Sequence, residues 1–327
     1  MSLSAYRAAL YDFAPDTVRP ALNNAFAADA LIQLAHPFET LGGPGALFEE
    51  ALGPLQQAWP DLERRETIVI EGDAKHGHWV GCCGYYTGTF AKPWLGIPAT
   101  GHQVAMRFHE FFRIENGLVV EMQALWDLPE VMMQAGVWPM SPSLGREWHV
   151  PGPATQDGFG PHGNGTAAAS VVENMLIGLG MHKEGGVEAM NLPRYWHPKC
   201  SWYGPSGIGT CRGIAGFRNW HQIPFLKAMP NRVGDPAGGH LFAQGDYVGF
   251  TAWPGMQATI SGDGWLGIAP SGHDITLRSL DFWRVENGLI RENWVLVDLL
   301  HVYAQIGVDV LARMRELVKA RTGRLDP

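Results

Sequence analysis

The chain has 327 residues, 46% of them hydrophobic, and 24 Lys+Arg against 32 Asp+Glu for a formal net charge of −8. That length and apolar fraction suffice for a large core and suggest two domains. No basic run of five or more occurs and no apolar stretch approaches the roughly 20 residues that cross a bilayer, which argues against nucleic-acid and membrane partners.

Ala21–Leu34 opens on a mostly apolar helical pattern and leads to His36-Pro37. Gly43–Trp59 reads as a helix after a Gly-rich entry, with Leu47, Leu55 and Trp59 on one inward stripe and Pro60 as its stop. Leu62–Glu71 and His76–Phe90 read as strands, followed by a loop over Lys92–Thr100. Two further strand-like runs flank Glu115–Gly117, where Asn-Gly signals a tight hairpin, and a short helix over Pro129–Gly136 follows. Ser141–Gly165 is rich in Pro and Gly and reads as a linker laid across the surface. Ala167–Leu179 starts a second series of elements. It continues through His197-Pro198, a helix over Gly213–Met229, a strand over Gly245–Trp253 and a last helix over Leu299–Arg321.

The second series repeats the first. Gly101–Val137 and Gly272–Val308 align without a gap at an offset of 272 − 101 = 171 and agree at 17 of 37 positions. WLGI at Trp94–Ile97 recurs at Trp265–Ile268, and Pro54, Ala58 and Pro60 recur as Pro224, Ala228 and Pro230. A duplicated module is the natural reading, with boundaries at 1–140, 141–166 and 167–327. Helices segregated onto one face of an antiparallel sheet make an α+β fold. A sheet curled around a helix leaves a conical cavity suited to a small hydrophobic ligand.

No GxxxxGK[ST] phosphate loop is present. Cys82, Cys83, Cys200 and Cys211 form no CxxC pair and read as reduced, buried thiols. The N-terminus lacks an export-signal layout, so a cytoplasmic protein is expected. His76-Gly-His78 has no third ligand at characteristic spacing and no counterpart in the repeat, so no metal is expected.

The motifs WLGIPATG (Trp94–Gly101) and WLGIAPSG (Trp265–Gly272) precede Arg107–Gly117 and Arg278–Gly288. After these come Asp127 with Gln134 and Gly136, and Asp298 with Gln305 and Gly307. In this order they resemble the SnoaL-like polyketide cyclases of the nuclear transport factor 2-like superfamily, in two tandem copies. The resemblance implies two cystatin-like cone modules, each a curved antiparallel sheet wrapped on N-terminal helices. It also implies an intramolecular aldol closure without cofactor. An aspartate on the last strand would act as general acid/base, which maps onto Asp127 and Asp298, and His109 would assist from the preceding strand.

Read from the residues alone, Asp127 and Asp298 have two explanations. Alternation puts Glu121, Gln123, Leu125 and Asp127 on one strand face, and Glu292, Trp294, Leu296 and Asp298 on the other copy's. If that face lines the cavity, each carboxyl is a desolvated acid/base. If not, each sits where a helix N-cap belongs. Arg107 and Arg278, matched in mid-strand, either pair with Glu121 and Glu292 or polarise a substrate carbonyl. Tyr203, Trp220, His221, Trp253, Trp283, Trp294, Trp59 and Tyr86 are candidate ligand contacts, and module two, richer in such residues, is the better candidate for activity. A non-catalytic carrier with the same pocket is the alternative. Sheet-to-sheet packing of the modules would make an intrachain pseudo-dimer, with further homo-oligomers open.

Overall fold

The computed structural model describes residues 2–234 and 238–322. Helices α1 (Ser2–Ala9) and α2 (Pro15–Ala25) lead into strand β1 (Phe26–Leu34). The helical reading of 21–34 therefore holds only to Ala25. Beyond it the chain is extended, because Leu31–Leu34 lie parallel against Glu121–Ala124 of the last strand. That pairing overrides the helix preference of Ala and Leu. After β2 (Glu39–Gly42) come α3 (Gly43–Ala46), a π-helical turn (Leu47–Leu52) and α4 (Gly53–Ala58), continuous in one segment. Strands β3 (Glu63–Ala74), β4 (Gly77–Thr89), β5 (Gln103–Glu115) and β6 (Leu118–Trp126) complete a six-stranded sheet of order β2-β1-β6-β5-β4-β3, and α5 (Leu128–Gln134) follows.

The second module repeats this plan. Helices α6 (Thr166–Gly180) and α7 (His182–Ala189) precede β7 (Trp196–Tyr203) and β8 (Thr210–Arg212). Then come α8 (Gly213–Phe217), a π-helical turn (Arg218–Gln222) and α9 (Ile223–Ala228). Strands β9 (Val233–Gly234), β10 (His240–Gln244), β11 (Tyr247–Thr259), β12 (Asp274–Glu286) and β13 (Leu289–Val297) build the second sheet, ordered β10-β11-β12-β13-β7-β8 with β9 on β11. Each sheet is antiparallel except for one parallel pair, β1 with β6 and β7 with β13. The hairpins turn as expected: Asn116-Gly117 and Asn287-Gly288 all take positive φ, the geometry of a type I′ turn.

The last helix is two. α10 (Leu299–Gln305) and α11 (Val310–Thr322) are separated at Gly307, whose φ of 79° is left-handed, and Val308 N–H returns to Tyr303 O at 2.9 Å. Glycine there closes the helix, as Gly136 does after α5 with φ 68°.

Each sheet has two apolar faces. One meets its own helices. The other meets the twin sheet, where Ile68, Ile70, Trp79 and Leu125 join Phe282, Trp294 and Leu296 in one buried cluster. Phe111 and Phe282, separated by 282 − 111 = 171 residues, stack at 4.8 Å across this contact. His109 lies 2.8 Å from Leu280 O, again at an offset of 171. Equivalent residues therefore meet across a local two-fold axis, as an isologous contact requires.

The connecting segment over 141–165 is mostly exposed but tightly held. Val69 and the segment exchange backbone hydrogen bonds at Gly158 O (2.7 Å) and Gly160 N (2.8 Å). Val150 N–H donates to Tyr85 Oη, and Trp294 Nε1 donates to Pro151 O, both at 2.9 Å. The linker is a strap that ties both modules. All four cysteines are free and buried, and no helix among the described residues is long and apolar enough to cross a membrane.

Candidate functional site

Module two encloses a cavity of about 410 Å³ between its sheet and the helices α6, α8 and α9. Its walls are Trp196, Trp202, Phe217, Phe225, Trp265 and Trp283, with aliphatic contributions from Ile208, Leu277, Val295 and Val297. His221 stacks on Trp202 at 4.2 Å and Trp196 on Phe217 at 5.5 Å, so the aromatic walls are fixed in orientation.

The polar groups of the floor come from alternation on β12 and β13. Leu277, Ser279, Asp281 and Trp283 point to the helix side, and so do Asn293, Val295 and Val297. Ser279 Oγ donates to Asp281 Oδ2 at 2.8 Å, and the Asn293 side chain also hydrogen-bonds the carboxyl. Burial away from bulk water outweighs both bonds and pushes the Asp281 carboxyl up to about 7. No ion pair joins it to a cation among the described residues, which is why desolvation wins. His221 is driven the other way, to about 3, by burial first and then by neighbouring Arg232, so its imidazole is neutral near pH 7.

The expected site residues divide. His221 and Trp283 line the cavity; the others do not. Asp127 caps α5, accepting from Glu130 N–H at 3.3 Å, and Asp298 caps α10, accepting from His301 N–H at 3.1 Å. Their second oxygens reach across the module contact, Asp127 to Ser206 N–H at 2.9 Å and Asp298 to His36 N–H at 3.0 Å. Arg107 donates to the carbonyls of Tyr203, Gly204 and Val295 in the other module and lies 3.7 Å from Asp127, while Glu121 pairs with Arg113. Arg278 pairs with Glu39 and Asp298, while Glu292 pairs with Arg284. His109 is buried among Phe282 and Leu280 at the twin-sheet contact, held neutral by burial and by Arg107. Tyr203 donates to Glu292 and packs on Trp294 there. Trp253 lies under Arg278 at 4.6 Å, and Trp220 is 51% exposed.

Trp59 and Tyr86 are inside a cone, but module one's is filled. Arg64 and Glu110 form a buried ion pair at 2.8 Å, and Glu110 also accepts from Tyr86 Oη (3.0 Å) and Trp126 Nε1 (3.1 Å). The Arg64 guanidinium sits 4.2 Å over the Phe108 ring. The residue pairs explain the difference. At the 171 offset Phe108 becomes Ser279, Trp126 becomes Val297 and Glu110 becomes Asp281. By strand register, Tyr86 opposite Met106 becomes Met256 opposite Leu277, and Arg64 opposite Tyr86 becomes Gly234 opposite Met256. Four large side chains have given way to smaller ones, and the space they vacate is the cavity.

Asp281, Ser279, Asn293 and Arg232 were absent from the sequence-derived site. A signal for the first existed: an acidic residue in mid-strand directly before a phenylalanine, in both copies (Glu110-Phe111, Asp281-Phe282).

The sequence profile described as SnoaL-like polyketide cyclase matches residues 5–135 and 187–306, one copy in each module. The chain belongs to the SnoaL-like polyketide cyclase family. No curated protein matches it. Among solved structures, IdmH from Streptomyces antibioticus is 19% identical with TM-score 0.35, covering 41% of this chain and 96% of its own. A SnoaL-like protein from Jannaschia sp. CCS1 is 21% identical with TM-score 0.34, covering 40% and 90%. TsrD from Streptomyces laurentii is 19% identical with TM-score 0.34, covering 41% and 92%. The family assignment rests on the two matched segments, which coincide with the two cones.

Proposed function

We propose that this member of the SnoaL-like family is a cyclase or isomerase whose chemistry takes place in module two, on a hydrophobic carbonyl-bearing small molecule and without cofactor. The observation that supports it is a single desolvated carboxyl, Asp281, at the floor of a largely apolar cavity. A carboxyl whose pKa lies near the working pH serves both as base and as acid. Ionised Asp281 removes a proton from the carbon next to a substrate carbonyl. The resulting enolate attacks a second carbonyl of the same molecule, a carbon–carbon bond forms, and the proton returns from Asp281 to the new alkoxide. The sum is an isomerisation, with no redox change. The indole N–H groups of Trp196 and Trp283 line the cavity without a partner among the described residues and are the donors available to a developing oxyanion. In this reading Asp127 and Asp298 are caps that also lock the modules, and cone one is a scaffold.

The partial reaction is measurable on a simple probe, the exchange of the methyl protons of acetylnaphthalene in deuterium oxide. Wild-type protein should accelerate exchange, and Asp281→Asn should lose roughly 10²–10⁴ of that acceleration. The rate should climb with pH through about 7 in the wild type alone, as the base form of Asp281 appears. Full activity in Asp281→Asn ends the acid/base assignment. Binding of the probe without any exchange in the wild type leaves the carrier reading.

A further inference from the structure

Arg232 lies on the connection between α9 and β9 and forms part of the cavity wall. Its guanidinium carries five N–H donors in a planar fork. Among the described residues its partners are neutral: the Leu179 carbonyl at 3.5 Å, the Met256 sulfur at 3.6 Å, the Phe225 ring at 5.8 Å and His221, which burial keeps uncharged. Nε is buried with no partner, and no carboxylate among the described residues lies in ion-pair range. A desolvated, unpaired guanidinium is costly to the fold.

Module one shows the same chemistry closed. There Arg64 and Glu110 meet inside the cone as an ion pair at 2.8 Å. In module two the arginine has moved two residues back along the chain: Leu62 corresponds to Arg232 and Arg64 to Gly234, each at an offset of 170. The carboxylate has also lost one methylene, Glu110 to Asp281. The two charges line one cavity and no longer touch. Further polar atoms in that wall are orphaned as well: Gln222 Oε1, His221 Nδ1 and the indole nitrogens of Trp196 and Trp283.

We infer that the ligand of module two is an amphipathic carboxylate, an apolar and largely planar oxo acid whose carboxylate is gripped by Arg232 while its carbonyl end faces Asp281. The inference rests on the cavity being the active site and adds the charge of the substrate to that reading. A carboxylate is the group the fork fits, since two parallel N–H···O bonds match its geometry. A neutral ester offers no charge to offset the desolvated cation.

The test is a matched pair of probes, naphthoate and methyl naphthoate, titrated against the full chain by calorimetry. Wild-type protein should bind naphthoate at least about tenfold more tightly, the scale of one charge-assisted hydrogen bond. Arg232→Met should abolish the preference while still binding the ester, and Arg232→Lys should restore part of it. Should Arg232→Met fail to fold by circular dichroism, the wild-type preference and its reduction in Arg232→Lys decide the matter. Equal or tighter binding of the ester overturns the carboxylate assignment and leaves the cavity reading intact. A preference that survives in Arg232→Met moves the anion away from Arg232 and equally overturns the inference. If neither probe binds at millimolar concentration, both the inference and the cavity reading fall.

Discussion

The two cones are built on one plan and differ in what occupies them. Cone one contains Arg64, Tyr86, Phe108 and Trp126 around Glu110, with every oxygen of that carboxylate hydrogen-bonded. Cone two has Gly234, Met256, Ser279 and Val297 at those places, around Asp281. A family fold needs its sheet, its helices and its hairpin turns; it does not need the interior to be empty. Duplication frees one copy to exchange a cavity for stability, since a closed-packed interior retains contacts that a void forfeits. The twin-sheet contact then holds the open cone against a solid one.

That comparison can be broken from either side. The largest effect expected is in cone one: Glu110→Ala leaves buried Arg64 with Glu66 alone and strips Tyr86 Oη and Trp126 Nε1 of their acceptor, and it should cost about 3–5 kcal/mol in chemical denaturation. A loss under about 1 kcal/mol would mean that cone one is not the solid half.

Copying the filling into the open cone is the converse. Ser279→Phe with Val297→Trp places cone one's residues beside Asp281. The variant should stay folded and lose probe binding by at least about tenfold, because the aromatic volume then belongs to the protein. Retained affinity would place the ligand elsewhere.

The pH dependence of stability sharpens the contrast next. Asp281 has a folded-state value of about 7 against an ordinary 3.8. A raised carboxyl stabilises the fold fully below its unfolded value, and that contribution is lost as pH rises through the folded one. Asp281→Asn should therefore exceed the wild type above pH 7 by up to about 4 kcal/mol, with the gain vanishing toward pH 4. Parallel curves for the two proteins would show that the carboxyl is not desolvated.

The smallest effect is at the caps. Asp298→Ala removes the α10 cap, the bond to His36 and one of the two carboxylates on Arg278, which keeps Glu39, and should cost about 1–2 kcal/mol in thermal or chemical unfolding. Proton exchange on the probe should persist, because the side chain lies outside the cavity. A loss of exchange with stability intact would return the chemistry to the end of the last strand.

Much of this architecture was legible in the residues. The duplication came from 17 shared positions in 37, the hairpins from Asn-Gly, and the closing helices from Asp-Leu followed by Gly. Both roles of Asp127 and Asp298 could be written down, and the cap was one of them. Alternation also divided each strand correctly into two sets.

What periodicity could not settle was which set faced the cavity. Glu292, Trp294 and Leu296 lie on the twin-sheet side, and Asn293, Val295 and Val297 on the cavity side. Both faces are apolar, because both are buried: one against a sheet, one against helices and the cavity. Hydrophobic patterning reports burial and not what lies beyond it. The sequence alone therefore determined two modules of strands and helices. Only the packing of one sheet on the other assigned the outer aspartates to the contact and Asp281 to the cavity.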